Sequence, residues 1–204
     1  MAHQQWHCGP AGCPPHGKRR RGEALEQAIL AAAVRELAEV GYDAMTVEGV
    51  AARAHTGKAA LYRRWPAKED LVVDALHFML PPCGALPDTG SVRDDLVELL
   101  SAMAATIRTP AGTAMQRMLG SQRCAPEILE TVHGKVIGPR REMLLEALRR
   151  GAQRGEVRPD AVTVLVAQVG SAMILQHLAD DDRPVDRRVV EEIVDQVVMP
   201  LLRP

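Results

Sequence analysis

Residues 46–68, TVEGVAARAHTGKAALYRRWPAK, constrain the fold of this chain more than any other stretch. Apolar residues at helical spacing predict a first short helix over about 47–54, with the hydroxyl of Thr46 as its N-cap. Residues 55–57 interrupt that spacing, and a second helix is predicted over about 58–65. Two short helices joined by a tight turn are the pattern of a helix-turn-helix.

The charges of this stretch favour contact with a polyanion. Residues 53–68 contain five basic side chains and no acidic one. Lys58 and Tyr62 are four residues apart and therefore share one face of the second helix, and Arg63 and Arg64 flank that face. Such a helix can lie in a major groove while its cations and its phenol reach phosphates.

At these residues the sequence resembles the DNA-binding domain of the tetracycline-repressor (TetR) family of bacterial transcriptional regulators. The resemblance covers about residues 23–75, and beyond them it is limited to the helical layout. The matching positions, in the order and spacing of the family, are Gly41-Tyr42, Thr46, Val50-Ala51, Lys58, Leu61-Tyr62, Trp65 and Lys68-Glu69.

The resemblance implies an all-α protein of about nine helices. A three-helix DNA-binding domain at residues 18–66 would precede a helical effector-binding and dimerisation domain at 67–204. Residues 1–17 are rich in Pro and Gly and are expected to form a disordered tail. The basic run at 18–21 is either an arm that reaches DNA or a solvated charged segment.

Four positions depart from the family pattern. His55 stands where a turn glycine is usual, and Gly57 stands where a serine cap is common. Ala59 and Ala60 replace residues that often contact the groove, so Lys58 becomes the main candidate for reading bases. The resemblance and the charge pattern together predict the DNA contacts Thr46, Lys58, Tyr62, Arg63, Arg64 and Lys68.

Composition limits the other classes of function. The net charge of the 204 residues is −1, so the basic surface is local and the chain is not a general nucleic-acid coat. No apolar run approaches the roughly 20 residues that span a membrane, and the N-terminus lacks the apolar core of a signal peptide. We therefore expect a cytoplasmic protein whose four cysteines are reduced.

Hydrophobic periodicity outlines the rest of the chain. Predicted helices cover about 23–40, 67–80 (with Met79 on its buried face), 92–108, 111–123, 126–151 (with a break or kink near residues 134–139), 160–178 (capped by Asp160) and 185–202. The last two are the eighth and ninth predicted helices. Their apolar faces are too wide for one neighbour, which predicts that they meet their copies in a twofold four-helix interface.

No combination of residues predicts catalysis. The chain has no phosphate-binding glycine loop, nucleophile elbow or metalloprotease helix, and no cofactor is expected. The inward-facing methionines are either ordinary core or the lining of an adaptable apolar pocket, which the resemblance places between the fourth and eighth helices. The candidate pocket residues are Met103, Met115, Met118, Met143, Met173 and His177.

These patterns favour a homodimeric, ligand-responsive regulator. It would bind a near-palindromic operator in double-stranded DNA, act most simply as a repressor, and be released by a small apolar effector. One alternative is a metal- or redox-sensing regulator that uses the tail residues His3, His7, Cys8, Cys13 and His16. Another is a helical interaction or enzyme domain that merely resembles a DNA binder.

Overall fold

A computed structural model of the chain describes residues 22–80, 84–121, 124–180 and 185–203. Within these residues the regular secondary structure is helical, and no strand is present. The fold is therefore all-α, with an N-terminal helix-turn-helix followed by a helical C-terminal region. Within the same residues, no helix is both long enough and apolar enough to cross a bilayer.

Four helices form the N-terminal part, which we call the head. They are α1 (Glu23–Ala44), α2 (Val47–Arg53), α3 (Lys58–Tyr62) and α4 (Lys68–Met79). Near the end of α1, Gly41 adopts φ 80° and ψ 169° and breaks the regular helix, in agreement with the end predicted at residue 40. The turn between α2 and α3 places His55 at φ 52°, in the left-handed region predicted for this position.

The remaining helices form the C-terminal part, which we call the body. They are α5 (Val92–Ile107), α6 (Pro110–Leu119), α7 (Pro126–Val132), α8 (Gly138–Gln153), α9 (Val164–Asp180), α10 (Arg187–Ile193) and α11 (Met199–Leu202).

The sequence predicts a break or kink near residues 134–139, and the structure has a π-helical turn there. His133–Ile137 joins α7 to α8, and the Gly138 N–H donates to the His133 carbonyl five residues back. A proline follows at position 139, where an α-helical chain would lose a hydrogen bond and meet a steric clash. A second π turn, Val194–Val198, precedes Pro200 in the same way. A wider turn thus lets both helices continue through a proline.

The buried side chains form two cores. The first core joins α1–α4 to α6, α7 and the π turn that follows α7, and includes Leu37, Leu76 and Met118, all at most 1% exposed. The second core joins α5, α8, α9, α10 and the segment that follows α10, around Leu100, Leu148 and Ile174. The sequence prediction assigns α6 and α7 to the effector domain, whereas their apolar faces complete the core of the head.

Some sequence predictions about individual helices were wrong. Asp160 was expected to cap a helix that starts beside it, but residues 159–161 form a 3-10 turn and α9 begins at Val164. The Thr163 hydroxyl accepts from the Val166 N–H there. Met79 was expected to be buried but is 37% exposed, because it lies in the last turn of α4, beyond the buried Leu76.

Candidate nucleic-acid interface and ligand cavity

The start of α2 is fixed by Thr46. Its side-chain oxygen accepts from the Gly49 N–H at 3.0 Å, which satisfies one of the free donors of the first turn, as the sequence predicted. The extended backbone of Gly57 starts α3 without a side-chain cap. These turns bring the N-termini of α2 and α3 close together on one exposed surface.

Lys58, the main base-reading candidate, already has a partner on that surface. Its ammonium group donates to a carboxylate oxygen of Glu48 at 2.7 Å, and both side chains are more than half exposed. The hydrogen bond with Lys58 lowers the pKa of Glu48, and the same bond raises the pKa of Lys58. The pair is therefore ionised near neutral pH, and a carboxylate stands next to the cation that would approach DNA.

Tyr62 and Arg63 point outward. Tyr62 is 46% exposed, which is high for a tyrosine in a folded head. Arg63 is exposed, and its guanidinium makes no hydrogen bond or ion pair with any other residue that the structure describes. Both side chains can therefore contact a phosphate without first leaving another group.

Two other arginines of the motif form ion pairs with glutamates of α1. Arg53 donates to Glu36 and makes a two-pronged contact with Glu39, at 2.6 and 3.0 Å. Arg64 has its Nε 3.7 Å from Glu26 and is about a quarter exposed. These carboxylates neutralise part of the positive charge that the sequence concentrates in residues 53–68.

Lys68 packs on the turn after α1. Its ammonium group donates to the Tyr42 carbonyl at 3.0 Å and lies 4.1 Å from the centre of the Tyr42 ring. The Tyr42 hydroxyl in turn donates to Glu69 at 2.9 Å, and burial together with this bond raises the pKa of the phenol. Because an ammonium group has three donors, Lys68 can hold this turn and still meet a phosphate.

An apolar cavity of about 480 Å³ lies in the body, between α5, α6, the first π turn, α8 and α9. That volume lies within the usual range for small-molecule sites. Its walls include Leu100, Ile107, Leu119 and Leu144, and its neutral polar groups are Thr106, Gln116, Gln168 and Ser171. α4 contributes only Leu80, which follows its last turn, so the cavity does not lie between the fourth and eighth helices as expected.

The structure separates the six residues predicted for the pocket into two groups. Met103, Met115 and Met143 line the cavity, as expected for an adaptable thioether wall. Met118 is fully buried in the core of the head, because it faces α1 from the opposite side of α6. Met173 is 39% exposed on α9, and neither it nor the half-buried His177 is part of the cavity wall.

Two family models match this chain. The model of bacterial regulatory proteins of the tetR family matches residues 29–75, and the tetracyclin repressor-like C-terminal domain matches residues 86–197. Together these matches cover both the head and most of the body. The chain belongs to the TetR family. It is therefore a DNA-binding, helix-turn-helix transcriptional regulator and not an enzyme.

Named relatives agree with this assignment. The chain is 29% identical to the DNA-binding transcriptional repressor TetR of Mycobacteroides abscessus, over 90% of this chain and 97% of the relative. It is 32% identical to the HTH-type transcriptional regulator YdeS of Bacillus subtilis, over 69% and 71% of the two chains. Among solved structures, the TetR family regulator SCO0332 is 31% identical with a TM-score of 0.60, over 89% of this chain and all of that one.

A more distant structure shares the fold. The fatty acid degradation regulator FadR of Bacillus halodurans superimposes with a TM-score of 0.72 over 89% of this chain and 97% of its own, at 18% identity. At that identity the likeness supports only the architecture of this TetR-family chain.

In this TetR-family protein α6 links the cavity to the head. Met115, Gln116 and Leu119 on one side of α6 face the cavity. The opposite side is buried against α1, and Arg117 donates to the Glu39 carbonyl at 2.9 Å. Ser121, just after α6, donates to Asp43 at 2.8 Å. Met115 and Met118 were predicted as one inward-facing set, and the sequence did not predict that α6 has two buried sides.

The cysteines and histidines proposed for metal or redox sensing lie in residues 1–17, outside the described residues. Over residues 22–80, 84–121, 124–180 and 185–203, no three His, Cys, Asp or Glu side chains form a group that could hold a metal. Cys124 is buried in the core of the head, and burial raises the pKa of its thiol. A protonated, buried thiol reacts slowly, so this position does not favour redox sensing.

Proposed function

We propose that this TetR-family regulator is a ligand-responsive repressor that binds a near-palindromic operator as a homodimer. The observation that carries the proposal is that one helix, α6, forms a wall of the apolar cavity and also packs on the first helix of the DNA-binding head. A ligand in that cavity therefore touches an element on which the head rests.

The proposed reading surface consists of Thr46, Lys58, Tyr62 and Arg63, supported by Arg64 and Lys68. Lys58 begins the recognition helix, where an inserted helix meets base edges with its N-terminal residues. The other five residues would contact phosphates and fix the position of the head on the duplex. Two heads would enter successive major grooves, about 34 Å apart.

Dimerisation is proposed through α9 together with α10 and α11, the eighth and ninth helices of the sequence prediction. α9 exposes aliphatic and thioether side chains away from the cavity, namely Val164, Leu165 and Met173, of which Leu165 is 77% exposed. Apolar surface of this kind usually marks a partner site. α10 contributes less of it, because Val190, Ile193 and Val194 are buried in the second core.

The effector would prefer a conformation in which the two heads have another spacing. Its binding energy and that of the operator would then oppose each other through one coupling free energy, commonly about 1–3 kcal/mol. The signal would pass through α6, whose contacts with Glu39 and Asp43 reach the C-terminal end of α1 and the turn before α2.

A binding titration on the full chain tests this proposal. The probe is labelled duplex DNA from the region beside the protein's own gene, and the control is a scrambled duplex of equal length. We expect preferential binding of the native duplex, two protomers per duplex in sedimentation, and an affinity that falls with salt. Equal affinity for both duplexes, or one protomer per site, would contradict the operator and dimer parts respectively.

A further inference from the structure

The charges at the cavity indicate the chemistry of its ligand, an inference that rests on the proposed effector role of this cavity. Two arginines, Arg140 and Arg141, belong to the wall. No aspartate or glutamate is part of that wall among the described residues. The cavity therefore combines mostly apolar sides with positive charge at one end, in the first turn of α8.

The two arginines differ in what they contact. The Arg140 guanidinium donates to the Val136 carbonyl at 2.7 Å and is turned back onto the preceding π turn. Arg141 is half-buried, and its guanidinium makes no hydrogen bond or ion pair with any residue that the structure describes. A half-buried guanidinium without an acceptor is costly, and an anion beside it would remove that cost.

Nearby carboxylates do not serve Arg141. Glu142 and Glu146 follow it on α8, but their oxygens lie 2.6 and 3.1 Å from Arg149 on the outer side of the helix. The five donors of a guanidinium suit the paired oxygens of a carboxylate or a phosphate. Apolar walls lower the local dielectric and strengthen such a pair relative to the same pair in water.

We propose that the effector is an amphiphilic anion. Its apolar body would fill the space between α5, α6 and α9, and its anionic oxygens would bind the Arg141 guanidinium. Neutral donors from Gln116 and Gln168 would orient the part of the molecule next to the head group.

A series of probes with one alkyl chain tests the proposal on the full-length protein. Decanoate, decyl phosphate, 1-decanol and decylamine differ only in the head group, and their binding is measured by calorimetry without DNA. We expect one or both anions to bind about tenfold or more tightly than decanol, as for a hydrogen bond to a charged group. The order of the two anions then distinguishes a carboxylate from a phosphate ligand. Equal binding of anion and alcohol, or no binding of any probe, would overturn the proposal.

Three variants locate the effect. Arg141→Gln should remove the preference for the anion over decanol, and Arg141→Lys should keep most of that preference. Arg149→Gln makes the same change on the outer side of α8 and should behave as wild type. Loss of the preference in Arg149→Gln as well, or its retention in Arg141→Gln, would contradict the assignment to Arg141.

The DNA-binding assay separates this inference from the function on which it rests. Decanoate that binds through Arg141 but leaves operator affinity unchanged would refute ligand-controlled release and support the anion site. Operator release by decanol and by both anions at equal affinity would support the regulatory proposal and refute the anion site.

Discussion

In the head, four cations have acceptors within their own chain. In the body, the Arg141 guanidinium has no partner among the described residues, and α9 exposes the apolar side chains Val164, Leu165 and Met173. Arg53, Lys58, Arg64 and Lys68 contact carboxylates or a carbonyl. Contacts of this kind hold a side chain in place and exchange readily for a phosphate at an exposed site. The groups of the body would gain free energy only when another molecule covers them, in agreement with the proposal that the body binds the effector and the second protomer.

The largest expected effect comes from placing a charge among the exposed apolar side chains of α9. Leu165→Glu should convert the dimer to a monomer, because two carboxylates would be buried at the interface. Operator affinity should then fall by about 100-fold or more, since one head loses the effective concentration that the other provides. Sedimentation and DNA titration measure the two effects. Gln153→Glu is the control, because it places the same charge on an exposed residue at the end of α8. A dimeric Leu165→Glu protein would show that the exposed apolar side chains of α9 are not the interface.

The next effect is expected at the reading surface. Lys58→Ala should weaken operator binding by roughly 1–3 kcal/mol and make the protein less selective among operator variants, as for the loss of a base contact. Arg63→Ala should weaken all duplexes alike, because it removes a phosphate contact only. Titration of a panel of single-base operator variants measures both. If Lys58→Ala lost the same affinity for every operator variant, this lysine would contact the DNA phosphate backbone rather than a base.

Arg63 and Lys68 differ in their internal contacts, which gives a smaller and more specific prediction. Both alanine variants should reduce the magnitude of the slope of log affinity against log salt concentration by about one, because each removes one phosphate contact. Lys68→Ala should also lower the free energy of unfolding by roughly 1–2 kcal/mol, because it removes the bond to the Tyr42 carbonyl. Thermal and denaturant unfolding measure this difference, and equal stability of the two variants would contradict the positioning role of Lys68.

The smallest expected effect is a gain of affinity. Glu48→Gln removes the carboxylate beside Lys58, so binding to every duplex should improve by a few-fold, as for an exposed ion pair. Lys58 lowers the pKa of Glu48, so the carboxylate is charged above that pKa, and the gain should be constant across neutral pH. The gain should disappear as the pH falls through the pKa of Glu48 and wild type loses the same charge. A gain that grows in acid would contradict this account.

Local sequence rules predicted most of the head. The Thr46 cap, the left-handed His55 and the end of the regular helix at Gly41 depend on nearby residues, and each was confirmed. The family, the all-helical fold and the absence of enzymatic function were also predicted and are confirmed by the comparisons. The selection of DNA contacts stays a prediction.

The contacts between distant parts of the chain were not predictable in the same way. Lys68 meets the Tyr42 carbonyl 26 residues away, and the sequence offered no signal for that pair. Periodicity showed that Met118 is inward but not which core it enters, because one helix can face two cores. Arg141 was not singled out, because an arginine in a basic pair followed by an acidic residue has the pattern of a solvated surface.

Gly112, near the start of α6, has a mechanical consequence. The Thr109 hydroxyl accepts from its N–H at 3.2 Å, and a Cβ at this position would overlap the backbone carbonyls of Thr106 and Ile107. The main chains of the last turn of α5 and the first turn of α6 are therefore in direct contact, with no room for a side chain between them. In the proposed mechanism, a ligand that displaces either helix would therefore displace both together as a rigid unit. Because α6 contacts the head, that displacement would reach the head directly.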